Sequence, residues 1–229
     1  MASNPSEDRE GGVGSESRAF SALELVVGSL VVIGHNVYHV VPNEVPILCI
    51  VGLLSIRLRN GSFSAMGFRR PRSWTLVVSV ALAAAALRIA LGDFVIDPLT
   101  SRFWPPAAAP AEADKITGNL GFALLALLVV WTFAAFGEEI SYRGYLLRRA
   151  ADLGKRSPLA YWLGVVLVSV LFGYGHFYKG YSGVVDSGVA GLILGAAYLI
   201  TGRNLWTCIL AHGFIDTFAV TLVYFGKNG

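Results

Sequence analysis

Seven apolar stretches dominate this 229-residue chain, at about residues 20–41, 44–58, 74–95, 120–136, 158–177, 184–201 and 204–225. A bilayer core of about 30 Å takes roughly 20 residues of helix to cross. In lipid every backbone N–H and C=O must be bonded within the segment, so stretches of this kind are helices. Composition agrees: 55% of residues are hydrophobic and 14% charged, against about a quarter charged in soluble domains. The expected fold is therefore all-α, a polytopic transmembrane helix bundle of about seven spans. The net charge of +3 is too small to argue for a nucleic-acid partner, which leaves the lipid bilayer as the expected surrounding. Residues 1–18, acidic and then Gly/Ser-rich, read as a disordered tail. Residues 19–227 read as the bundle, with a motif-bearing core over 120–225. No basic region precedes the first apolar run as a secretory signal requires, and Ala2 stands where myristoylation needs glycine.

Charge placement predicts orientation. Arg57, Arg59, Arg69, Arg70 and Arg72 fall between the second and third stretches, and Arg148, Arg149, Lys155 and Arg156 between the fourth and fifth. Arg203 falls between the sixth and seventh. The positive-inside rule makes these loops cytoplasmic, which puts the N-terminus of a cell-membrane protein in the cytoplasm and the C-terminus outside. The Pro- and Ala-rich segment 97–118 then reads as an external loop. Cys49 and Cys208 both lie in apolar runs, which suits small core residues and argues against a disulfide framework. Gly191 and Gly195 form a small-xxx-small pair that lets another helix approach.

Three polar constellations interrupt the apolar pattern. A charged group at bilayer depth costs about 2.5–3.5 kcal/mol on insertion scales, so such groups must pair, reach the interface or face water. The first is Gly137-Glu138-Glu139-Ile140-Ser141-Tyr142-Arg143-Gly144. Glu139 and Arg143 are spaced for a helical ion pair with the acid on the favourable N-terminal side. Glu138 points about 100° away and lacks an obvious partner, which suits a general base; an interfacial cluster ending a helix would also carry these residues. The second is Phe172-Gly173-Tyr174-Gly175-His176, whose histidine reads either as a site residue or as a satisfied helix-end residue. The third is His212-Gly213-Phe214-Ile215-Asp216, amid Ile209, Leu210, Phe218 and Val220. His212 and Asp216 share one helix face, so Asp216 either orients the imidazole or joins it in binding a metal. His35 and His39 share the same spacing, but Tyr38, Pro42, Asn43 and Glu44 mark an interface there.

Glu-Glu-x-x-x-Arg, Phe-x-x-x-His and His-x-x-x-Asp, in this order on successive apolar helices, resemble the CPBP intramembrane proteases, which include the CAAX endopeptidases. Upstream, Ala65-Met66-Gly67-Phe68-Arg69-Arg70-Pro71 is similar to the family's loop before its third span. The resemblance implies an intramembrane endopeptidase acting on a membrane-associated peptide or protein substrate, one carrying a CAAX-like lipidated cysteine among the options. By it, Glu138 activates water, Glu139 is a supporting acid held by Arg143, and His176, His212 and Asp216 complete the site. Two mechanisms stay open. In one, Glu138, His176, His212 and Asp216 bind Zn²⁺, which lowers the pKa of its bound water. In the other, Glu138 acts alone and the third motif stabilises the oxyanion. Asp216 stands where the family often has Asn, and an ionised Asp cannot donate a hydrogen bond to an oxyanion. Ser141 has no Gly-x-Ser-x-Gly elbow around it.

Simple antiparallel rods would leave Glu138 and His176 at opposite ends. At least one rod is therefore expected to depart from that picture, the fourth helix by continuing to about Arg149 or the fifth by tilting or starting below the surface, and a funnel open to the cytoplasm would fit the basic loops. Two other functions fit the same helices. One is a non-catalytic scaffold or bacteriocin self-immunity protein of the same fold. The other is a proton or solute pathway, which would be expected to show internal repeats or broken helices.

Overall fold

The computed structural model describes residues 15–105 and 113–227. Among these residues all regular structure is helical, as expected. Seven main helices form the bundle: α1 (Ser15–Asn36), α2 (Glu44–Asn60), α3 (Trp74–Thr100), α4 (Leu120–Leu153), α5 (Pro158–Tyr174), α6 (Gly180–Ile200) and α7 (Leu205–Tyr224). Of these, α1, α3, α4, α6 and α7 are long and apolar enough to cross a membrane. Helix α5 is apolar but shorter, and α2 has 17 residues with Arg57 and Arg59 in its last turn. The expected tail over 1–18 falls outside the described residues up to position 14, and residues 15–18 form the first turn of α1.

Polar caps set most helix starts. Asn43, Ser73, Asn119, Ser157 and Asn204 each accept a backbone N–H from the first turn of the helix they precede. These side chains satisfy donors that the helix itself leaves orphaned. The first span stops at Asn36 rather than near Val41. There the Asn36 side chain bonds the Val32 carbonyl at 3.1 Å, Val40 N–H turns back to the Gly34 carbonyl, and Pro42 blocks continuation. The third span runs on to Thr100 through a π-helical turn at Gly92–Ile96, so residues 97–100 of the expected external loop are helical.

Helix α4 organises the rest. Its 34 residues make a rod of roughly 50 Å, longer than a bilayer core. Its two halves face different surroundings. Leu120, Phe122, Leu124, Leu125, Leu128, Val129 and Phe133 are exposed, as lipid-facing residues are. From Glu139 to Asp152 every residue is buried by the other helices. Glycines let those helices close in. A Cβ on Gly28 of α1 would meet the Leu146 side chain at 2.6 Å, one on Gly52 of α2 would meet Tyr145 at 2.8 Å, and one on Gly164 of α5 would meet Leu147 at 2.9 Å. Gly191 and Gly195 bring α6 against Ser169 and Val165 of α5, the close approach that their spacing predicts.

The arginine-rich segments gather at one end of the bundle. Arg149 bonds Asn60 at 3.2 Å, Arg148 bonds the Ala65 carbonyl at 2.5 Å, and Arg203 bonds the Tyr161 hydroxyl at 2.8 Å. Arg69 bonds the Gly202 carbonyl. Glu24 of α1 sits at the centre of a clasp there. It accepts from Ser55 and Arg59 of α2 and pairs with Arg149 of α4 at 3.0 Å.

Candidate active site

The centre of α4 is not regular α-helix. Residues Val130–Glu138 and Ile140–Leu146 are π-helical, separated by Glu139. Such widened turns recur at functional sites because they re-aim side chains. Hydroxyls support the distortion: Thr132 bonds the Leu128 carbonyl at 2.7 Å and Ser141 bonds the Gly137 carbonyl at 2.8 Å. Both are the back-bonding contacts that bend helices.

Glu139 is fully buried and joins two helices. Its Oε1 accepts from Arg143 Nη1 at 2.8 Å, as the spacing predicts, and also faces His212 Nδ1 of α7 at 2.8 Å. Arg143 donates in addition to the Gly191 carbonyl of α6 at 3.2 Å. The other nitrogen of His212, Nε2, faces Asp216 Oδ2 at 3.6 Å. Four of the expected site residues thus form one contiguous chain: Arg143, Glu139, His212 and Asp216. Glu138 stands in the combined field of His212, Asp216, Glu139 and Arg143. Its Oε2 is buried with no hydrogen-bond partner, and so is Oε2 of Glu139. Buried polar atoms are almost always bonded, so these two carboxylate oxygens are candidates to bond water or substrate.

His176 joins through Phe172. It lies in the short turn after α5, where Nδ1 is 3.0 Å from the Phe172 carbonyl. A carbonyl only accepts, so Nδ1 carries the proton, and neutral His176 presents Nε2 as an acceptor. The Phe172 ring lies 4.8 Å from the His176 ring and 6.1 Å from the His212 ring, between centroids. The Arg143 guanidinium sits 4.4 Å over the same ring, within cation–π reach. Phe172 is a residue of the candidate site to which the sequence reading gave no role, although it is the first letter of Phe-x-x-x-His. Trp131 is another. Its indole packs on α7 beside His212, where Gly213 offers no Cβ, and its N–H bonds Thr217 at 3.1 Å.

The metal expectation meets a specific obstacle. Among the described residues no group of three or more His, Cys, Asp or Glu is arranged to hold a metal ion. The reason is visible at His212, whose Nδ1 already engages Glu139 and whose Nε2 faces Asp216. As arranged, these donors fit a hydrogen-bonded acid–imidazole chain and do not fit a metal cage. His35, set aside as an interface residue, pairs with Glu44 at 3.4 Å and contacts the Val41 carbonyl at 3.0 Å across the turn from α1 to α2.

Residues 120–218 match the family model described as type II CAAX prenyl endopeptidase Rce1-like. That segment covers all three motifs and ends two residues past Asp216. No curated protein and no solved structure matches the chain.

Proposed function

Taking residues 120–218 as a CAAX-protease segment, we propose that the chain is an intramembrane endopeptidase in which Glu138 activates the water that cleaves a membrane-associated substrate. The observation that supports this most is the shared Glu139 oxygen. It locks α4 to α7 and holds His212 beside a second carboxylate, Glu138, whose outer oxygen has no partner.

The chemistry follows from these roles. Glu138 takes a proton from water, and the resulting hydroxide adds to the carbonyl carbon of the scissile amide. The carbonyl oxygen becomes an oxyanion and needs hydrogen-bond donors. His212, when protonated on both nitrogens, donates through Nδ1 to Glu139 and presents Nε2–H on the side of Asp216. Asp216 then supports the imidazolium charge rather than donating to the oxyanion. His176 Nε2, an acceptor, orients the attacking water. Glu138 finally returns its proton to the departing amine as the C–N bond breaks. On this reading Glu138 is base and then acid, His176 orients the water, and His212 Nε2–H is the donor that the oxyanion needs.

The test is turnover by the purified chain in detergent on membrane-anchored peptides, with and without a lipidated cysteine. Activity should fall about 10²–10⁴-fold in Glu138→Ala while the protein stays folded. Activity equal in both forms overturns the proposal, and inactivity of both on every peptide favours the scaffold or self-immunity reading. Elemental analysis of the active preparation tests zinc independently. Stoichiometric metal together with loss of turnover in chelator would mean that His212 releases Glu139 to bind it.

A further inference from the structure

The loop between α2 and α3 carries a motif that the hydrolytic chemistry leaves unused, Phe68-Arg69-Arg70. It is not a loose surface loop. Met66 is fully buried, its carbonyl accepts from Tyr198 at 3.1 Å, and Leu205 N–H bonds the Gly67 carbonyl at 3.0 Å. Gly67 has φ +91°, and a side chain there would collide with the Arg203 carbonyl, so the turn is locked against the start of α7. The locked loop forms one wall of a cleft of about 440 Å³ lined by Phe68, Arg69, Arg70, Trp74 and Trp206.

The polar side chains of this cleft are all donors. Arg69 is held in place by the Gly202 carbonyl. Arg70 is exposed and, among the described residues, has no ion-pair partner; the same residues offer none to either indole N–H. No carboxylate lines the cleft among the described residues. Two helix N-termini flank it as well, since Trp74 opens α3 and Trp206 is the second residue of α7. A helix N-terminus carries a partial positive charge. Two guanidinium groups, two indole donors and two helix N-terminal ends thus surround one cleft, a field that favours an anion. The floor is aromatic: Phe68 and Trp206 lie 5.0 Å apart, Trp74 and Trp206 6.1 Å, and both Phe68 and Trp206 touch Phe136 at 5.7 Å. Tryptophans above aromatic packing, at the arginine-rich end of a membrane bundle, mark headgroup depth.

We infer that this cleft binds the phosphate headgroup of an anionic membrane lipid, with Arg69 and Arg70 on the phosphate and Trp74 and Trp206 at the glycerol level. Basic pockets between transmembrane helices bind anionic headgroups by this physics. The floor residue Phe136 stands two positions before Glu138, so the bound lipid lies next to the proposed active site without belonging to it.

The experiment uses the full chain in a neutral detergent, offered equal amounts of phosphatidylglycerol and phosphatidylcholine with matched acyl chains. Retained lipid is counted by native mass spectrometry. A contribution of about 1 kcal/mol per arginine converts to about fivefold for one and thirtyfold for both. The wild type should prefer phosphatidylglycerol about thirtyfold, Arg70→Gln should lose about fivefold of that preference, and the Arg69→Gln/Arg70→Gln double variant should lose nearly all of it. Arg70 has no described intramolecular partner to lose, so its variant keeps the test valid if the double variant misfolds. Equal retention of the two lipids, or an unchanged preference in Arg70→Gln, overturns the inference. Displacement of phosphatidylglycerol by millimolar inorganic phosphate would assign the cleft to a soluble anion and overturn it too.

Discussion

Arg143 illustrates how a single side chain here serves charge, packing and geometry together. It is about 2% exposed, neutralises a Glu139 that is fully buried, reaches the Gly191 carbonyl and covers the Phe172 ring. Removing one partner of a buried pair strands the other charge, at a cost of about 3–5 kcal/mol. Arg143→Ala should therefore lower the thermal unfolding midpoint in detergent as well as abolish turnover, while Glu138→Ala should leave the midpoint nearly unchanged. Arg143→Lys keeps the charge but loses the planar fork, so an intermediate midpoint is expected, and one as low as that of Arg143→Ala would deny the charge its role. The pairing of Glu139 with Arg143 was legible from four-residue spacing alone, as was the shared face of His212 and Asp216. The bond from Glu139 to His212 was not, because 73 positions separate the two. The sequence left Asp216 either to orient His212 or to join it on a metal; in space the carboxylate closer to His212 is Glu139, at 2.8 Å against 3.6 Å for Asp216.

At the level of helices, the apolar pattern located the spans but misjudged where several of them stop. The apolar run of α4 ends at Phe136, and residues 137–153 look interfacial by composition. They are instead the most enclosed part of the chain, because α1, α2 and α5 wrap them. The expectation that the fourth helix continues beyond its apolar part holds, and the helix reaches Leu153. Its π-helical centre had no sequence signal, since π turns arise from the balance between backbone bonds and side-chain packing rather than from residue preference. The contact of α5 with α6 can be tested by volume. A Cβ at Gly195 would meet Val165 at 2.6 Å, whereas one at Gly188 has its nearest neighbour at 3.6 Å. Overpacking costs about 1–3 kcal/mol or more. Gly195→Leu should therefore reduce thermal stability and the yield of monodisperse protein, and Gly188→Ala should be tolerated. Equal behaviour of the two would show that the helices do not meet as described.

Across the whole molecule, the two ends of the bundle are held differently. Arginines and their partners tie α1, α2 and α4 together through Glu24, which is about 10% exposed. The far half of α4 presents apolar side chains to lipid, together with Thr132, whose hydroxyl bonds back to the Leu128 carbonyl. Glu24→Ala would leave Arg59 and Arg149 without their shared acid, at about 3–5 kcal/mol, and should lower the unfolding midpoint by roughly 10 °C. The effect should be smaller in high salt for Arg59, which is more exposed than Arg149. An unchanged midpoint would mean that the clasp is ornamental. What the sequence determined by itself was residence in a bilayer, the helical class and the polar motifs that interrupt the apolar helices. Transfer from water to lipid is a sum over local groups, and helix-face spacing is a local periodicity. Tertiary structure alone decided that Glu139 rather than Asp216 grips His212 and that Phe172 bridges the two histidines. Each of those outcomes depends on the length and widened pitch of α4 and on glycines that let neighbouring helices approach, and such long-range geometry leaves no local trace in the chain.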